Sequence, residues 1–62
     1  MEIVDLKGKV VVITGAGSGI GRETAIIASK IGAKIIMLDI SEEGLNETMT
    51  FLEGEGHSMY TI

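Results

Sequence analysis

The sequence predicts an α/β fold built on a short parallel sheet, and three observations carry that prediction. Lys9-Val-Val-Val-Ile-Thr14 and Lys34-Ile-Ile-Met-Leu-Asp39 are continuous apolar runs rich in β-branched residues. Strands covered on both faces read this way. Two segments of helical periodicity alternate with these runs. All connections are short, so strand, helix, strand, helix, strand implies right-handed crossovers and a parallel sheet, with both helices on one face.

Residues 1–8 are polar and mixed, a lead-in to the first strand. Gly15 to Gly19 places three glycines in five residues, a loop of unusual backbone freedom. From Ile20 to Ile31 the spacing is helical. Gly21, Ala25, Ala28 and Gly32 form a small-residue side that lets a helix approach a sheet closely, and Gly32 suits a C-terminal cap. Ile20, Thr24, Ile27 and Ile31 make an adjoining bulkier stripe, expected either to meet the second helix or to face solvent.

Ser41 is the expected N-cap of that second helix, and Glu42 and Glu43 suit its positive dipole end. Leu45, Thr48, Met49 and Leu52 mark its buried face, Phe51 lies off it, and Gly54 and Gly56 end it. His57–Ile62 reads as a third strand.

Sixty-two residues make one small domain or part of one. A chain this short buries only about 60% of its unfolded surface and is marginal alone. Disulfides are excluded by the absence of Cys, and a lone histidine gives no metal set. The net charge of −4 is split. Residues 1–34 carry five bases and three acids, residues 35–62 six acids and no base. No basic stripe with interleaved aromatics exists, so nucleic acid is not an expected partner. The apolar run Val10–Ile13 is too short to span a membrane. Glu2 and Asp5 stand where a secretory leader would be basic, so a cytoplasmic protein is expected.

The chemistry lies in Thr14-Gly-Ala-Gly-Ser-Gly-Ile-Gly21. Gly15 stands at the strand end, where the chain must turn. Gly19 allows close approach of a diphosphate, and Gly21 close packing of the helix on the strand. The helix start offers N–H groups and a positive dipole end to phosphate. Asp39, at the tip of the next strand, is where a carboxylate accepts hydrogen bonds from an adenosine ribose. The spacing is not GxGxxG, because positions 20 and 22 are Ile20 and Arg22. Nor is it a P-loop, because no Gly-Lys-Ser/Thr follows the loop.

Gly8-Lys-Val-Val-Val-Ile-Thr-Gly-Ala-Gly-Ser-Gly-Ile-Gly-Arg22 resembles the opening of the short-chain dehydrogenase/reductase family, whose cofactor motif is TGxxxGxG. The likeness runs through Ile31-Gly-Ala33 and Asp39 to the third strand. It implies a Rossmann-type β-α-β-α-β half-sheet, the first part of a doubly wound domain, over residues 1–62. It also implies hydride transfer between a nicotinamide cofactor and an alcohol/carbonyl substrate. Thr14, Gly15, Ser18, Gly19, Ile20, Gly21, Asp39 and Ile40 are the implied cofactor-binding residues, with Thr14 tying down the loop. The family's catalytic serine and Tyr-x-x-x-Lys pair come after later strands. The 62 residues are therefore expected to be a truncated, amino-terminal part that is inactive alone. A non-catalytic nucleotide-binding or structural fragment is the alternative.

NAD is the expected cofactor. A carboxylate at Asp39 repels a 2′-phosphate, and neither Ser18 nor Ile40 is basic. Arg22, a turn into the helix, is expected to point to solvent. Tyr60 lacks a Lys four residues on and reads as a strand residue. His57 reads as a surface residue, and Glu42, Glu43, Glu47, Glu53 and Glu55 as a solvated face. The first strand is left as an uncovered edge, so homo-oligomerisation is expected of any folded form.

Overall fold

The computed structural model describes residues 5–62, so the first half of the expected lead-in lies outside the described residues. The elements are β1 (Val10–Thr14), α1 (Gly19–Lys30), β2 (Lys34–Asp39), α2 (Glu42–Phe51) and β3 (Ser58–Thr61). The strands form one sheet in the order β1-β2-β3, and both pairings are parallel. Val12 stands opposite Ile36, which stands opposite Ser58. This is the expected half-sheet, with boundaries within a residue of those read from the sequence.

One face of the sheet is covered. Ile13, Ile35 and Met37 pack there against Ala25 and Ala28 of α1 and Leu45 of α2, with Leu6 and Met59 at the margin. Alternation along the strands sends Val10, Val12 and Tyr60 to the other face, where each is more than half exposed. Among the described residues the parallel sheet is thus covered on one side only.

The small-residue side of α1 packs as expected, but the bulkier stripe does not join α2. Ile27 is 58% and Ile20 86% exposed. Polar groups link α1 to α2 and to the segment after it: the Arg22 side chain reaches Thr48, and the Ser29 hydroxyl accepts from the Glu53 N–H at 3.1 Å. Alanines at the sheet bring α1 close, and a side chain pointing at α2 must then be short or long and flexible. Gly32 ends α1 with φ +105°. Its N–H reaches Ser29 O and the Ala33 N–H reaches Ala28 O, the two bonds of a Schellman cap. Ser41 caps α2 by accepting from the Gly44 N–H at 3.0 Å.

His57 is half-buried, and its ring is engaged rather than free at the surface. Its Nδ1 accepts from the Ile35 N–H at 3.0 Å, and Nε2 lies 2.6 Å from Glu53 O. Because Nδ1 must accept, the proton sits on Nε2 and is donated to Glu53 O. The ring thereby ties the start of β2 to the turn that leads into β3.

Candidate functional site

The site gathers at the C-terminal ends of β1 and β2. Thr14 is the last residue of β1, and the chain turns at Gly15, where φ is +68°. Ala16 and Gly17 are buried, whereas Ser18, Gly19 and Ile20 are exposed. Ser18 flanks α1 in an extended conformation and its side chain makes no cap bond, so the first N–H groups of the helix open toward the exposed side. Gly19 has φ +57°, and beyond its chain neighbours and the adjoining helix backbone no atom lies within 4 Å of where a Cβ would stand. The backbone is accessible there to a ligand.

Gly21 serves packing. A Cβ at Gly21 would overlap the carbonyl oxygen of Gly15, so α1 docks on the loop itself as closely as two backbones allow.

Asp39 closes the other side. Its Oδ2 accepts from the Gly17 N–H at 2.8 Å and its Oδ1 from the Ser41 N–H at 2.9 Å. The N–H groups of Ser41 and Gly17, with a smaller contribution from Ile40, hold the carboxyl below its ordinary pKa against a modest opposing effect of desolvation. Each oxygen keeps a second lone pair, so the carboxylate retains acceptor capacity for two hydroxyls. Ile40, beside it, is 81% exposed.

Two side chains, Arg22 and Thr48, hold the loop from below. The Arg22 side chain does not point to solvent. It folds under the loop to α2, where Nη2 donates to Gly17 O at 2.6 Å and to Glu47 Oε1 at 3.0 Å. Its Nε donates to Thr48 Oγ1 at 2.8 Å, and the guanidinium lies over the Phe51 ring, 5.9 Å from its centre. Glu47 is accordingly an ion-pair partner rather than part of a purely solvated face. Thr48, fully buried, donates its hydroxyl to Ala16 O at 2.7 Å. Gly17 itself was passed over: a Cβ there would stand 2.8 Å from Asp39 Oδ2 and 3.3 Å from the Gly44 carbonyl carbon. The ties that hold the loop thus come from Asp39, Arg22 and Thr48, while Thr14 is exposed.

A legible signal for this contact existed. Gly44 sits in the first turn of α2, where glycine costs about 1 kcal/mol relative to alanine, and an unfavourable glycine marks a close approach. For Arg22 no local signal existed, since its partner Thr48 is 26 residues away.

Among the described residues no group of metal-ligating side chains occurs, and no helix is long and apolar enough to cross a membrane. The open N–H groups, the accessible backbone at Gly19 and the anchored carboxylate fit a dinucleotide: a diphosphate at the loop and a ribose at Asp39.

Comparison with known proteins agrees with this geometry. The family model for short chain dehydrogenases matches residues 9–62. An uncharacterized oxidoreductase of Thermotoga maritima is 47% identical over 53 residues, covering 86% of this chain and 21% of that protein. Estradiol 17-beta-dehydrogenase 11 of Macaca fascicularis is 46% identical over 55 residues, covering 89% of this chain and 18% of that one. Among solved structures, a short chain dehydrogenase from Escherichia coli CFT073 complexed with NADPH superposes with a TM-score of 0.86 at 30% identity. That match covers 92% of this chain and 25% of the other. The chain therefore spans about a fifth to a quarter of the length of these relatives. Matched by the family model over residues 9–62 and superposing on a family structure through its half-sheet, it belongs to the short-chain dehydrogenase family and corresponds to part of that family's cofactor-binding region.

Proposed function

We propose that this chain forms the NAD-binding part of an oxidoreductase that acts on an alcohol/carbonyl pair. The carrying observation is the Asp39 carboxylate, fixed by the Gly17 and Ser41 N–H groups with acceptor capacity to spare. In this reading Asp39 takes both adenosine ribose hydroxyls, and Ser18, Gly19 and Ile20 offer backbone donors to the diphosphate. Gly15 and Gly21 shape the turn, and Ile40 flanks the adenosine end. The nicotinamide, when bound, supplies the hydride acceptor or donor. None of these residues is placed to exchange a proton with an alcohol, so turnover needs groups beyond them.

A relative was crystallised with NADPH, so membership of the family does not decide between the two cofactors. What supports NAD here is local charge. A 2′-phosphate beside Asp39 meets an anion, the flanking Ser18 and Ile40 are not basic, and Arg22 is engaged beneath the loop. Such a like-charge contact corresponds to a preference on the order of a hundredfold. The test compares kcat/KM for NAD and NADP in the whole protein and in Asp39→Ser. We expect wild type to favour NAD and the variant to lose most of that preference. Equal or better use of NADP by wild type would refute the assignment, and no nucleotide-dependent turnover would favour a non-catalytic module.

The uncovered face supports association. Val10, Val12 and Tyr60 leave apolar surface on the sheet, and β1 is an edge strand. Sedimentation of the 62-residue chain is expected to show a dimer or larger assembly whenever it is folded. A monodisperse monomer with a cooperative melt at high protein concentration would contradict this.

A further inference from the structure

We infer that Arg22 and Thr48, neither of which faces the exposed side of the loop, are the positioning residues that aim two loop peptides for cofactor recognition. The inference rests on the proposed nucleotide site and asks what holds that site in shape.

A trans peptide is planar, and its C=O and N–H point in opposite directions. The peptide joining Ala16 to Gly17 has its oxygen held by the Thr48 hydroxyl at 2.7 Å and its N–H on Asp39 Oδ2 at 2.8 Å. Fixing one end aims the other. The next peptide, Gly17 to Ser18, has its oxygen held by Arg22 Nη2 at 2.6 Å. Its N–H, on Ser18, is thereby turned the other way, to the exposed side of the loop.

One link makes the pair a unit. Arg22 Nε donates to Thr48 Oγ1 at 2.8 Å, so the single hydroxyl proton of Thr48 goes to a carbonyl, and Ala16 O at 2.7 Å is a nearer acceptor than Gly44 O at 3.1 Å. A charged donor feeding a buried hydroxyl also strengthens the bond that the hydroxyl makes in turn. Arg22 comes from α1 and Thr48 from α2, so the packing of the two helices is converted into the orientation of the Gly17 and Ser18 N–H groups. The first of these holds the ribose-reading carboxylate. The pair therefore bears more on NAD than on NADP, because only the ribose without a 2′-phosphate profits from a well-aimed Asp39.

The experiment is calorimetric titration of the full chain with NAD and with NADP, for wild type, Thr48→Val, Thr48→Ser and Arg22→Lys. Valine keeps the shape of threonine but leaves Ala16 O and Arg22 Nε without their partner. Losing a charge-assisted bond of this kind is expected to weaken NAD binding about tenfold. NADP binding should weaken less, so the NAD:NADP affinity ratio falls. Thr48→Ser should restore the wild-type ratio, and Arg22→Lys, which cannot span both Gly17 O and Thr48, should lower it. If Thr48→Val does not fold, Arg22→Lys against Thr48→Ser decides the question. Unchanged affinities in the variants, or equal weakening for both nucleotides, would overturn the inference while leaving the nucleotide site standing. A wild-type chain that binds neither nucleotide would overturn the proposed function, and this inference with it.

Discussion

Within the glycine loop, two pairs of glycines are there for different reasons. At Gly17 and Gly21 the missing Cβ is space already occupied, by Asp39 and Gly44 in one case and by the Gly15 backbone in the other. At Gly15 and Gly19 the surroundings are open, and the requirement is a positive φ, +68° and +57°. The crowded pair faces the protein and the open pair faces away from it. One motif thus carries two separable demands. Gly17 and Gly21 let the loop press against the half-sheet and its helices, while Gly15 and Gly19 shape the backbone on its accessible side.

The sharpest way to break that distinction is Gly21→Ala. The methyl would overlap a carbonyl oxygen of the backbone, which no rotamer change relieves. Either α1 retreats from the loop or the turn at Gly15 opens, and both spoil the packing of Ala25 and Ala28 on the sheet. Overpacking of this kind costs on the order of 3 kcal/mol. In a domain whose size already leaves it marginal, we expect loss of the cooperative transition in thermal and urea melts. A variant that melts like wild type would show that the close approach is incidental.

This division explains what could be read from the sequence. The elements were legible because their signals are local: β-branched runs, a small-residue side on α1, and Ser41 ahead of two acids. Asp39 and the motif glycines were legible because strand end, loop and helix start follow one another along the chain. What holds the loop was not legible. Arg22 meets Thr48 across 26 residues, Thr48 meets Ala16 across 32, and Gly17 meets Asp39 across 22. Helical spacing correctly buried Thr48 but said nothing of where its hydroxyl points. Arg22 was expected in solvent because long cations usually are, whereas here the Gly17 carbonyl of the loop, the Gly44 carbonyl of α2, the Thr48 hydroxyl and Glu47 repay its desolvation. His57 failed in the same way, since its partners on Ile35 and Glu53 come together only once β2 and the turn before β3 are in place.

Gly19→Ala probes the open member of the comparison and should behave oppositely to Gly21→Ala. The left-handed conformation costs an alanine about 1 kcal/mol, and no neighbour is struck. The fold should therefore survive with a modest fall in Tm. The methyl, however, enters the side from which a diphosphate would approach. NAD affinity is expected to fall by about tenfold or more, beyond what the lost stability accounts for. Calorimetric titration alongside a thermal melt separates the two effects. A large loss of stability with unchanged nucleotide affinity would assign Gly19 to packing and erase the contrast with Gly21.

The smallest expected effect concerns Asp39, which both demands share: it braces the crowded Gly17 and faces the open side. Its carboxyl is held below the ordinary value of 3.8, chiefly by the Ser41 and Gly17 N–H groups. A carboxylate whose pKa is lower in the folded than in the unfolded chain stabilises the fold above the unfolded value, and that contribution disappears as pH falls through the folded value. Stability should therefore decline on acidification from about pH 5 downward, in proportion to the protons Asp39 takes up on unfolding. Asp39→Asn imitates the protonated acid, with one oxygen to accept and an NH₂ facing the other backbone donor. We expect the variant to be less stable than wild type near neutrality, and the gap to narrow and close as wild-type Asp39 becomes protonated. Urea melts of both proteins across that acid range measure the gap directly. A gap that stays constant with pH would mean that the Gly17 and Ser41 bonds do not depend on the charge of Asp39. The carboxylate would then be held by packing alone, and the link it makes between the buried and the open sides of the loop would be steric rather than electrostatic.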